Sequence, residues 1–239
     1  MRLSNNHQKL ITSLSQKKYR QKHQLFIAEG VKVIEEFLKS SYEVEILFST
    51  DPYFSFLDCF VQVTNQELKK ISSLKTPNKV LALFKIPSEK KVNSSGLIVA
   101  LDTINDPGNL GTIIRLCDWF GVEQLVCSKE TVDCYNTKVV QASMGSLTRV
   151  STSYLNLPEY LKTVSIPIYI ADMNGVNIHK TKLPASAVLV MGNEANGISD
   201  TLKNLISNKI SIPRYGDSMQ VESLNVATAT AILLNEFRR

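Results

Sequence analysis

The spacing of apolar residues switches between a helical and a strand period along the chain. Residues 4–20 place Leu10, Ile11 and Leu14 on one helical face, with Lys17, Lys18 and Arg20 close behind, and predict a helix. Residues 25–28 form a short strand candidate, Glu29 and Gly30 turn, and Val31, Ile34, Phe37 and Leu38 recur at helical spacing. Residues 44–48 and 60–63 alternate as strands do, Asn65 is placed to cap a helix to Leu74, and residues 80–86 close the unit as a strand. This alternation predicts a small α/β domain over residues 1–88. Residues 89–95 are polar and aperiodic, as a linker is.

From residue 96 to 239 the pattern changes. Residues 97–101, 124–127, 166–171 and 187–191 are short apolar runs, the signature of parallel strands buried on both faces, and 209–212 is a last strand. Helices are expected up to Trp119 and Phe120, from Lys138 until Gly145 disturbs it, over 157–164 and 202–206, and from Val226 onward. Residues 148–152 form a further short strand. The periodicity describes a parallel sheet with helices on both faces, in the manner of an open Rossmann-like sheet.

Composition narrows the class. A hydrophobic fraction of 44% suits a globular protein that buries a core. There is no apolar run of 18 residues and no signal-peptide pattern at the N-terminus, so a cytoplasmic protein without a membrane span is expected. Cys59, Cys117, Cys127 and Cys134 form no Cys-x-x-Cys pair and the three histidines are scattered, so no metal site is expected. The net charge is +5, and residues 1–95 carry all of the excess: 15 Lys+Arg against 9 Asp+Glu, compared with 12 against 13 in the remainder. Lys9, Lys17, Lys18, Arg20 and Lys22 precede the first acid, Glu29. This run is either a solvated face or a surface that contacts RNA phosphates by counterion release.

Three loops share one form, strand then a Gly- and Asn-bearing loop then helix. The first holds Asn109, Gly111 and Arg115; the second runs Gly-Asn-Glu-x-x-Gly-Ile-Ser from Gly192 to Ser199; the third holds Ile212 and Pro213, then Ser-Leu-Asn-Val-Ala from Ser223 to Ala227. In this order they resemble the three signature motifs of the SpoU or TrmH-type (SPOUT-class) RNA ribose 2′-O-methyltransferases. The Gly-x-Gly-x-x-Gly dinucleotide fingerprint is missing. The third loop is longer than in many relatives and begins with Arg214 and Tyr215, and Ala227 stands where a serine is common.

The resemblance implies a deep trefoil knot in the 96–239 domain, against the general rarity of knots, and an L30e-like substrate-binding domain before it. It implies S-adenosylmethionine as cofactor, held by Gly192, Ile212 and Leu224 with Met191, Gly197 and Ser223 beside them. The glycines have turn formation as their simpler reading. The resemblance further implies catalytic roles for Asn109, Arg115, Glu194 and Asn225, with Glu194 pairing with Arg115 or capping a helix. Ser223 and Asn225 are both candidate caps of the last helix. The implied partners are structured RNA, ribosomal (23S) in preference to transfer RNA, and a second copy of the chain. The competing class is a non-catalytic RNA-binding or ribosome-assembly protein that keeps the fold.

Overall fold

The computed structural model describes residues 2–88, 91–93, 95–216 and 223–239. Glu89, Lys90 and Ser94 of the expected linker, and residues 217–222 of the third loop, lie outside the described residues. The elements run α1 (Asn5–Ser13), α2 (Lys17–His23), β1 (Leu25–Glu29), α3 (Val31–Leu38), β2 (Val44–Ser49), β3 (Phe60–Gln62), α4 (Asn65–Ile71) and β4 (Val80–Lys85). They continue with β5 (Leu97–Leu101), α5 (Pro107–Trp119), β6 (Gln124–Ser128), α6 (Thr137–Ser143), β7 (Ser151–Leu155), α7 (Leu157–Thr163), β8 (Ile168–Asn177), β9 (Ala187–Met191), α8 (Asp200–Leu205), β10 (Lys209–Ser211) and α9 (Val226–Arg238). The chain forms two compact units, Met1–Ser88 with Asp133–Thr148, and Glu89–Val132 with Arg149–Arg239.

The first unit is built on a mixed sheet of order β1-β4-β2-β3, in which β2 and β3 are parallel and the other pairs antiparallel. The expected helix over 4–20 is two helices. Gln16 is extended between them, and the carbonyls of Leu14 and Ser15, left over at the end of α1, accept from Arg20 Nη1 at 2.8 and 3.0 Å. Arg20 is therefore not an RNA contact: it is 2% exposed, and its Nε and Nη2 donate to Asp133 Oδ2 at 2.8 and 2.5 Å. Lys9, Lys17, Lys18 and Lys22 are exposed.

Asp133 belongs to the segment that joins this unit from far along the chain. Behind it, the Tyr135 ring lies 4.8 Å from that of Phe26, and its hydroxyl lies 3.3 Å from that of Tyr42. Burial pushes the Tyr42 phenol up to about 12, and raises Tyr135 as well. Gly145 has φ +91°, and a Cβ there would meet Glu36 Cβ and Cγ at 2.7 Å, so only glycine fits this approach.

The α4 boundaries also differ from the sequence reading. Thr64, not Asn65, is the N-cap, in a reciprocal box with Glu67. The helix stops at Ile71 because Ser72 and Ser73 turn to satisfy a buried carboxylate. Glu29 accepts from both their hydroxyls and from the Ser73 amide at 2.9 Å.

The second unit holds a six-stranded sheet of order β10-β8-β9-β5-β6-β7, parallel throughout. Every residue of β5 and β9 is buried, as their unbroken apolar runs require. The segment before β5 is pinned to the sheet, because Gln124 bonds the amide of Asn93 at 2.6 Å and its carbonyl at 2.9 Å. β8 runs beyond the expected Ala171. Its pairing with β10 jumps from Ile170↔Lys209 to Val176↔Ile210, so residues 171–175 bow out of register. Gly175 permits this crossing, since a Cβ there would meet the Lys209 and Ile210 backbone at 2.6 Å. α9 packs against α5.

Candidate functional site

Ligands of parallel α/β sheets bind outside the carboxyl ends of the strands. A cavity of about 680 Å³ opens there in the second unit, at the ends of β9 and β10 and along the bowed part of β8. All six residues assigned to the cofactor line it: Met191, Gly192, Gly197, Ile212, Ser223 and Leu224. Buried Met191, Ile198, Ile210 and Leu233 give it an apolar floor. Asp172, Glu194, Lys203 and Arg214 are its charged members. The polar and apolar sides suit a ligand with an aromatic base at one end and charged groups at the other.

The second loop is shaped by its own backbone. Asn193 and Gly197 exchange two main-chain hydrogen bonds, at 2.9 and 2.8 Å, across a tight turn in which Gly197 has φ +67°. A Cβ on Gly192 would strike the backbone of Gly197 and Ile198. Glycine at 192 is thus required first by the turn's closure on itself, the simpler of its two readings. The Asn193 side chain braces the loop, accepting from the amides of Ala195 and Asn196 and donating to the Thr103 carbonyl at 2.7 Å. Thr103, a β-branched residue, is held at φ +61°, a conformation that costs about 1–3 kcal/mol. Buried Asp102 accepts from the Ser199 amide at 2.8 Å and so fixes the exit of the same loop.

The three motif loops meet through one directed chain of hydrogen bonds. Asn225 is the N-cap of α9, and its Oδ1 accepts from the amides of Ala227 and Thr228 at 3.0 and 3.2 Å. That leaves its Nδ2 to donate to Asn109 Oδ1 at 2.9 Å. Asn109 in turn has only its Nδ2 left, and this donates to Glu194 Oε1 at 2.6 Å. The cap therefore dictates the orientation of both amides and the aim of the carboxylate. Asn109 itself is fixed by Asp106, the N-cap of α5, which accepts from its backbone amide at 2.8 Å.

One expectation is corrected here and one alternative is decided. Glu194 bonds Asn109 and neither pairs with Arg115 nor caps a helix. Of the two candidate caps, Asn225 takes the role and Ser223 lines the cavity. Arg115 does not line the cavity; it stands exposed on the stripe of α5 that also carries Thr112 and Trp119, and has no hydrogen-bond or ion-pair partner among the described residues.

Comparisons with known proteins identify the family and the fold. Residues 96–235 match the SpoU rRNA methylase family, and residues 5–82 match the MRM3-like substrate binding domain. The chain is 32% identical over 235 residues to the 23S rRNA (guanosine(2553)-2′-O)-methyltransferase RlmP of Bacillus subtilis, covering 94% of this chain and 93% of that one. Its fold matches an RNA methyltransferase of the TrmH family from Porphyromonas gingivalis with a TM-score of 0.91 at 37% identity, over 100% of this chain and 99% of the other. It also matches an AdoMet-bound rRNA methyltransferase from Sinorhizobium meliloti with a TM-score of 0.86 at 27% identity, over 99% and 95%. The resemblance read from the three loops is borne out: the chain belongs to the SpoU family of RNA 2′-O-ribose methyltransferases, which take their methyl group from S-adenosylmethionine.

Proposed function

We propose that this enzyme methylates a ribose 2′-hydroxyl of 23S ribosomal RNA in the cytoplasm. The observation that carries the reading is the Asn225–Asn109–Glu194 chain, which joins all three motif loops around one cavity. The choice of 23S RNA over transfer RNA is supported by the B. subtilis relative, which spans nearly the whole chain.

S-adenosylmethionine supplies an electrophilic methyl group. Gly192, Ile212 and Leu224 would hold it in the cavity, with Met191, Gly197 and Ser223 beside them. Glu194, aimed by Asn109, orients polar atoms of the acceptor nucleotide. Arg115 is ill suited to act as a base, because a guanidinium stays protonated at any ordinary pH. Exposed and without a protein partner among the described residues, it can instead take a phosphate of the RNA bidentately. Its charge then lowers the cost of the negative charge that develops on the 2′-oxygen as the hydroxyl proton is released to solvent.

The reading extends to a homodimer through the second unit, with the knot that the family resemblance implies. Trp119, 84% exposed on the stripe shared with Arg115, supports a partner surface on α5. Sedimentation that gives a monomer at micromolar concentration would contradict it. For the activity, ribose methylation is mapped across 23S RNA from cells with and without the protein. One site lost on deletion and restored by the wild-type gene, but not by Arg115→Ala, is the expected result. An unchanged map, with no heat of S-adenosylmethionine binding by calorimetry, would instead make the chain an RNA-binding protein that keeps the fold.

A further inference from the structure

We infer that Tyr215, with Met173 and Arg214, forms a stacking lip for a nucleobase of the RNA next to the acceptor ribose; this rests on the methyltransferase reading above. Tyr215 is 85% exposed and Met173 is 64% exposed, yet both line the 680 Å³ cavity. The Tyr215 hydroxyl has no hydrogen-bond partner among the described residues. The ring therefore packs into no core, and it is not part of the floor, which buried Met191, Ile198, Ile210 and Leu233 provide. A cofactor seated on that floor leaves the ring for whatever arrives over the rim.

The lip is one built edge drawn from two elements. Arg214 Nη2 lies 3.3 Å from Met173 Sδ, which ties the segment after β10 to the bowed part of β8. This wall carries charges of both signs. Glu194 accepts from Asn109, and Asp172 Oδ1 accepts from the Asn174 amide at 2.8 Å, so the protein fixes where both carboxylates point. Lys203 and Arg214 are the cations facing the same space. An aromatic face beside a guanidinium is the pairing that holds splayed bases in single-stranded RNA.

The test compares wild type with Tyr215→Ala, Tyr215→Phe and Tyr215→Trp in the full chain. The probes are an unmodified 23S RNA transcript and S-adenosylmethionine. Stacking of one base predicts a KM for the transcript raised about 5- to 150-fold in Tyr215→Ala. The expected companions are a kcat within about twofold, an unchanged dissociation constant for S-adenosylmethionine by calorimetry, and recovery in Tyr215→Phe and Tyr215→Trp, since the ring and not the hydroxyl does the work.

Three outcomes overturn the inference: an unchanged KM in Tyr215→Ala, an equal loss of cofactor affinity, which gives the ring to the adenine, or a shift in sedimentation, which gives it to a second copy. If wild type methylates no RNA, the function proposed above fails separately. Filter binding of the same transcript to wild type and Tyr215→Ala then decides the inference, a loss in the variant supporting it and equal binding refuting it.

Discussion

Removing the carboxylate of Asp133 should unfold the first unit far more readily than removing any exposed lysine of the N-terminal run. The Arg20 side chain is 3% exposed and that of Asp133 13%, so water cannot replace the lost partner. In Asp133→Ala the guanidinium keeps its bonds to the Leu14 and Ser15 carbonyls, but Nε and Nη2 are left buried without an acceptor. Breaking one side of a buried pair in this way costs about 3–5 kcal/mol. In urea that is a midpoint lowered by roughly 2 M, at an m-value of about 2 kcal/mol per molar. Arg20→Met should also destabilise the unit, and the double variant should lose less than the two single losses added together.

The same series separates the two readings of the basic run. At a temperature where every variant is folded, Arg20→Met should bind RNA as wild type does. Lys17→Ala with Lys18→Ala should weaken binding and flatten its salt dependence by about one unit of slope for each lysine that touches phosphate. Circular dichroism and filter binding supply the two measurements. A stability change below about 1 kcal/mol in Arg20→Met, together with weakened RNA binding, would refute the reasoning.

Asn225→Ala should cost about 1 kcal/mol of stability from the lost α9 cap and most of the turnover as well. Asn225→Asp keeps the cap acceptor but has no donor for Asn109 Oδ1, so thermal stability should return while turnover does not. Gly192→Ala should lose about 1–3 kcal/mol and weaken S-adenosylmethionine binding, because the second loop must open to admit a methyl group; calorimetry reads both effects. The first unit should lose stability at high pH. The Tyr42 phenol is raised to about 12 on folding, so the neutral form is favoured. Stability is then fully present below about pH 10 and lost as pH rises to 12, by about 2–3 kcal/mol. Tyr42→Phe should flatten that part of a denaturation series.

The strands and helices of the second unit were legible because their apolar runs are continuous and their loops carry distinctive residues. Six cofactor positions could be named before their convergence was visible, because the three motifs in order resemble those of a known family, which implies where the cofactor sits. What escaped the sequence depended on distant partners. Arg20 sits in a basic run that looks solvated, and only the fold reveals an aspartate 113 positions later beneath it. Asp172, Met173 and Asn174 read as the loop after a strand ending at Ala171, because a strand bowed out of register loses its alternation. Asp102 and Thr103 follow an apolar run as any turn would, and the second loop they hold lies about 90 residues further on.

The route of the chain constrains how this protein can be divided. Because Asp133–Thr148 completes the first unit from within the sequence of the second, no single cut yields two intact pieces. A fragment starting near residue 96 would keep every signature loop, yet carry Val139, Val140 and Leu147 with nothing to cover them. Anyone exchanging the first unit between relatives must transplant two stretches together, and the excursion helix must match its new host.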